Sequence, residues 1–227
     1  MSPTHTPATK TLVGSFEESI LQGRMSTADA YSIPGFTAEL AVSGEGKQLP
    51  HVSIPFSPVF YSLPGEDAPT PYVANIELAH RDDPGRHPAL LKVPVRGMVQ
   101  LAIFNPQQTG VRVFLVRYDH SEMPPRTKTF VRQRTIDETF SNGAIRYLAH
   151  LRFVCLKKSV YLHGGIRVVF AHRTLDSAEG LSVITDGPSN PRYIPLTHGM
   201  LHRGRSGSVD DDDALKCAPT TQVAFSL

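Results

Sequence analysis

MVQLAIFNPQQTGVRVFLVRYD, residues 98 to 119, decides the fold class. Two runs rich in β-branched and aromatic residues, MVQLAIFN (98–105) and VRVFLVRYD (111–119), flank PQQTG, a five-residue connection holding both proline and glycine. Such a pair reads as an antiparallel hairpin with its turn in Pro106 to Gly110. Successive strand side chains alternate between faces, so Val111, Val113 and Leu115 should share one face.

The same reading extends in both directions. Upstream, FTAELAVSG (36–44) sets Phe36, Ala38, Leu40 and Val42 against Thr37 and Glu39. HVSIPFSPVFYSL (51–63) and YVANIEL (72–78) follow. Pro55 and Pro58 imply an edge strand or a bulge, since each removes a ladder donor. RDDPGRHP (81–88) has the composition of a loop. Downstream, IRYLAHLRFVC (145–155) places Ile145, Tyr147, Ala149, Leu151 and Phe153 on one face and Arg146, His150 and Arg152 on the other. The chain then turns through KKS into VYLHGGIRVVFA (160–171), where Gly164 and Gly165 mark a bend or bulge. Short strands with few helices predict a mostly β protein, an antiparallel β-sandwich with one or two short helices. One such helix is expected to start at Ser15, which with Glu18 makes a capping-box pattern, and to stop at Gly23, the alternative being that this run lies extended across a sheet.

Composition sets the outer limits. The 227 residues suffice for one domain with a full core, and 19 prolines argue against long helices. We expect a polar, disordered N-terminus over residues 1–10, a β domain over 11–198 and a flexible tail over 199–227 that carries the acidic run Asp210 to Asp213. The sequence contains no apolar run of bilayer length and opens without a secretory signal, so neither a membrane role nor secretion is expected. Two cysteines, Cys155 in an apolar run and Cys217 in the tail, make neither a disulfide framework nor a zinc motif and fit a reducing compartment.

Several stretches, taken in order, resemble the conserved region of the Atos (Atossa) family. LVGSFEESILQGR (12–24) followed by GFTAELAVSG resembles its opening, and FNPQQTGVRVFLVRYDHSEMPPRTKTFVRQRT (104–135) its most distinctive part. IRYLAHLRF, YLHGGIRVVFAHR and NPRY resemble its end. The resemblance covers about residues 11 to 196. It implies a nuclear protein associated with transcriptional regulation, whose end segment carries a family name linked to chromosome segregation in meiosis. It brings no catalytic residues with it.

Signatures of chemistry are sparse. There is no G-x-S-x-G elbow and no phosphate loop, since HGG at 163–165 lacks the lysine and spacing of one. Cys155 has His150 and His163 nearby in sequence, but a cysteine between Val154 and Leu156 reads as core. His198 and His202 lack a third metal ligand, and the adjacent Glu17 and Glu18 point in different directions. No enzyme activity, cofactor, metal or small-molecule substrate is therefore expected.

Charge is more informative. From Arg126 to Arg173 there are ten lysines and arginines against two acids, Asp137 and Glu138. Within PPRTKTFVRQRT (124–135), an extended chain projects Arg126, Lys128, Phe130, Arg132 and Arg134 to one side. Guanidinium groups bind carboxylate and phosphate oxygens in pairs and stack on aromatic faces. The expected partner is a protein, acidic or phosphorylated, bound through this row or a sheet edge. DNA or RNA binding by the same face is the rival reading, and an enzyme with an unrecognised site is a third. Ser206 and Ser208, between a basic pair and the acidic run, are candidate phosphorylation sites.

Overall fold

Residues 98–119 form the expected hairpin in a computed structural model of the chain, whose described residues are 29–62, 70–78, 90–139, 144–171 and 180–196. The strands in chain order are β1 (Asp29–Ser32), β2 (Phe36–Gly44), β3 (Lys47–Gln48), β4 (Val52–Phe56), β5 (Val59–Ser62), β6 (Tyr72–Glu77), β7 (Leu90–Val93) and β8 (Arg96–Phe104). They continue with β9 (Gly110–Asp119), β10 (Thr127–Asp137), β11 (Ala144–Leu156), β12 (Ser159–His163), β13 (Gly165–Phe170), β14 (Leu181–Asp186) and β15 (Ile194–Pro195). No helix occurs among the described residues, and the helix expected at Ser15 lies outside them.

Every pairing is antiparallel, and the strands divide into two sheets. The larger runs β1-β5-β6-β13-β11-β10-β14, with β12 and β7 continuing beside β11 and β15 beside β10. The smaller runs β3-β2-β8-β9, with β4 also on β2. The sheets face each other across one apolar core, as in a sandwich. Phe36 from the smaller sheet meets Phe170 and Tyr72 from the larger at 5.8 and 5.6 Å between ring centres. At the other end Tyr118 of β9 lies 4.9 Å from Phe153 of β11.

Local chemistry explains the breaks between strands. Residues 51–63, read as one run, divide at Pro58 into β4 and β5, which belong to different sheets. Pro55 sits in β4, which among the described residues pairs only with β2, the edge position that tolerates a missing donor. The hairpin turn is tied by the Asn105 side chain, which accepts from the Thr109 amide at 2.8 Å. Gly164, at φ +66°, breaks one run into β12 and β13, and both pair with β11.

Among the buried polar residues, His120 packs directly against core aromatics. His120 is 4% exposed, lies 4.4 Å from the Phe153 ring and stacks on Tyr118, and neither ring nitrogen has a hydrogen-bond partner. Burial, with a smaller contribution from Arg192, pushes its pKa down to about 4, so the imidazole is neutral when folded. The unfolded chain binds this proton near pH 6.5, the folded one only near 4. Stability is therefore full above about pH 6.5 and should fall, as pH drops toward 4, by about 1.4 kcal/mol per pH unit from this group. Urea unfolding at neutral and acidic pH checks this: His120→Leu should flatten the slope, and an unchanged slope would show that His120 contributes none of it.

Candidate interaction face

Strand β10 carries the basic row. Its even-numbered residues Lys128, Phe130, Arg132 and Arg134 point away from the core, while Thr135 and Gln133 turn inward toward β9. Arg126 does not belong to this row. It precedes β10, and its φ of +61° takes it out of extended geometry, so the expected five-residue row begins at Lys128.

Pairing then widens the row into a face. Arg132 stands opposite Asp186 of β14 on one side and His150 of β11 on the other. His150 in turn stands opposite Arg167 of β13, and Arg167 opposite Asn75 of β6. One line of polar side chains thus crosses five strands on the outer surface of the larger sheet. Phe130 is paired with Arg152, its ring lies 4.8 Å from His150, and the Arg132 guanidinium lies 5.5 Å from the Phe130 ring. Arg152 packs on Gly164, where a Cβ would come within 2.4 Å of its guanidinium.

Burial grades this face. Arg132 is only 9% exposed, whereas Arg152 and Arg167 are half-buried. The pKa of His150 is pushed down to about 3, first by burial and then by Arg132, Arg167 and Arg152. A neutral imidazole is therefore held among three guanidinium groups. Arg134 forms an ion pair with Asp186, and Arg146 pairs with Asp137 at 3.0 Å. Hydrogen bonds from the Thr139 hydroxyl and amide and from Arg146 hold the Asp137 carboxyl below the usual carboxylate range. Arg167 makes no ion pair among the described residues.

Arg152, Arg167 and His150 were not grouped with the basic row in the sequence reading. Their alternation with core residues was visible, but no local pattern says that β11 lies between β10 and β13. Cys155 is buried, which pushes its thiol pKa up. Its register opposite Val160 puts it on the core side of β11, whereas His150 and His163 lie on the outer side. Glu17, Glu18, His198, His202, Ser206 and Ser208 fall outside the described residues.

Comparison with known proteins covers the same strands. A family model described as "Chromosome segregation during meiosis" matches residues 144–196, hence β11 to β15, and one described as "Domain of unknown function (DUF4210)" matches residues 12–73. The chain is 40% identical over 209 residues to Atos homolog protein B of Homo sapiens, covering 86% of this chain and 37% of that protein. The corresponding protein of Mus musculus is 38% identical over 209 residues. Atos homolog protein A of Xenopus tropicalis is 35% identical over 204 residues, covering 81% of this chain and 21% of that one. The chain thus spans little more than a third of the length of the B-type relatives. No solved structure matches it.

The graded burial predicts unequal costs. Removing Arg134 leaves Asp186 partly exposed and should lower stability by no more than about 1 kcal/mol. Gly164→Ala meets both the positive φ and the Arg152 guanidinium, and should lower it by more than that. Thermal unfolding of the two variants checks the order; equal melting temperatures would show that Gly164 does not constrain Arg152.

Proposed function

Starting from the fact that the chain belongs to the Atos family, we propose that it is a non-enzymatic interaction domain of a chromosome-related, nuclear regulatory protein. Its partner is a protein segment that is acidic or phosphorylated, bound on the outer face of the larger sheet. The observation that carries this reading is the convergence of Arg132, Arg152 and Arg167 on the neutral His150. Partly desolvated guanidinium groups bind anionic oxygens more strongly than fully solvated ones, and their planar forks suit phosphate and carboxylate geometry. The match of residues 144–196 to a family model named for meiotic chromosome segregation supports the chromosome-related context. The regulatory role is what the family resemblance implies and extends to this chain as part of the proposal.

A protein partner is favoured over nucleic acid. Phe130, the aromatic ring that β10 sets among these charges, is half-buried against His150 and so poorly placed to stack on successive bases.

Fluorescence anisotropy tests the reading on the full chain, with a labelled peptide carrying two phosphoserines, its unphosphorylated counterpart and a short DNA duplex as probes. The phosphopeptide should bind most tightly, and Arg167→Ala should weaken it by about ten-fold or more. Arg167→Lys should recover only part of the loss, because the charge remains but the fork does not. Preference for the duplex, with affinity falling steeply as salt rises, would hand the face to nucleic acid. Equal binding of all probes by wild type and Arg167→Ala would remove the face from the reading.

A further inference from the structure

The two sheets end out of step beside β9. Strand β9 is the last strand of the smaller sheet and pairs only with β8 among the described residues. Above it, the larger sheet continues one strand further. The β9 residue Arg112 donates to Thr135 of β10 at 3.3 Å, and Gln133 of β10 donates to the Leu115 carbonyl at 2.8 Å, so β9 lies under β10. Strand β14 is β10's next neighbour, and its Val183 and Thr185 stand opposite Thr135 and Gln133. They therefore face the smaller sheet, yet Val183 is 53% exposed, because no strand of that sheet lies beneath it among the described residues.

The edge of β9 is built to be paired. Since the Leu115 carbonyl points away from β8, so do the backbone groups of Val113 and Arg117, two residues to either side. Val113 and Leu115 are each 50% exposed. Ten residues long, without proline and with Arg117 as its only charge in mid-strand on the exposed face, β9 lacks the usual protections of a free edge. Beside this edge lies a cation without a counter-ion. Arg112 is half-buried with its guanidinium 4.0 Å from the Tyr147 ring, its Nε has no acceptor, and it makes no ion pair among the described residues.

We propose that the free edge of β9 receives an extended segment of a second protein as an additional strand of the smaller sheet. On its inward face that segment carries an apolar side chain that packs on Val183 and an acidic one that pairs with Arg112. Backbone hydrogen bonds supply attachment, and the two inward side chains supply selectivity.

Other occupants fit less well. A second copy of β9 offers no acidic residue on the inward face, where the even-numbered positions Arg112, Phe114, Val116 and Tyr118 lie. FEESIL (16–21) mixes acidic and apolar residues, but it joins β1, six strand spacings or about 29 Å from β14. The eight steps from Leu21 to Asp29 reach at most about 29 Å when fully extended, so at best only the end of that segment would arrive there. Asp210 to Asp213 consist of a residue type depleted from strands, and TTQVAFSL (220–227) has no acidic side chain.

The experiment uses the full chain and a labelled peptide, Thr-Glu-Thr-Val-Thr-Val-Thr, with a counterpart in which lysine replaces glutamate. Amide exchange is followed by NMR while binding is followed by anisotropy. The acidic peptide should slow exchange at Val113, Leu115 and Arg117 at least ten-fold, and the lysine peptide should bind at least ten-fold more weakly. Val183→Lys, at an exposed position that folding does not need, should weaken the acidic peptide while leaving the melting temperature unchanged. Arg112→Gln should abolish the preference between the peptides. The proposal is overturned if saturating peptide leaves those three amides unchanged. It is overturned equally if they are already protected in the free chain, which assigns the edge to a segment of the same chain when protection is independent of concentration and to a second copy when it grows with concentration. Arg167→Ala, at the outer face, should not alter this binding, so failure here and failure of the phosphopeptide reading are separable.

Discussion

The two-residue alternation of β11 is the constraint on which the rest of the molecule depends. Tyr147, Ala149, Leu151 and Phe153 enter the core, and the residues between them, including His150 and Arg152, must point the other way. A one-residue slip against β10 would put arginine into the core and phenylalanine outside it. Burial of one face therefore fixes the position of the charges on the other, without any interaction among the charges themselves. Burying each of the large core side chains stabilises the fold by about 1.5–3 kcal/mol, whereas exposed ion pairs contribute much less. The core decides the register, and the basic face inherits it.

That inheritance gives the outer face its chemistry. Because β10 and β13 flank β11, arginines far apart in sequence share one line with His150. Like charges this close oppose one another. The neutral state of His150 limits that cost, and Asp186 compensates Arg134 at the margin. The result is a face on which two guanidinium groups are already packed, Arg132 on the Phe130 ring and Arg152 on Gly164, so less of their side-chain freedom remains to be lost when an anion binds.

The margin at β9 has a different origin. The larger sheet has a strand, β14, with no counterpart below it among the described residues, so an apolar side chain on the core-facing surface meets solvent. Gln133 and Arg192 each donate to a β9 carbonyl, at Leu115 and Asp119, and partly satisfy the edge. Side-chain donors of this kind replace a few ladder bonds but leave the backbone donors of the strand open.

The sequence by itself determined the elements. The hairpin at 98–119, the alternation of 36–44 and 145–155, the edge character of Pro55 and the break at Gly164 were all legible, because each rests on local rules of strand period, proline and glycine. The family resemblance was legible for the same reason, as an ordered series of local words. Only the tertiary structure decided which strands are neighbours. It divided 51–63 between two sheets, removed Arg126 from the basic row through a left-handed backbone, and brought Arg152, Arg167 and His150 beside Arg132. It also left β9 one strand short of the sheet above it. Strand order is set by packing two apolar faces against each other across the whole chain. Those non-local contacts leave no local periodic trace in the sequence, so the candidate face and the open edge appear only once the sheets are assembled.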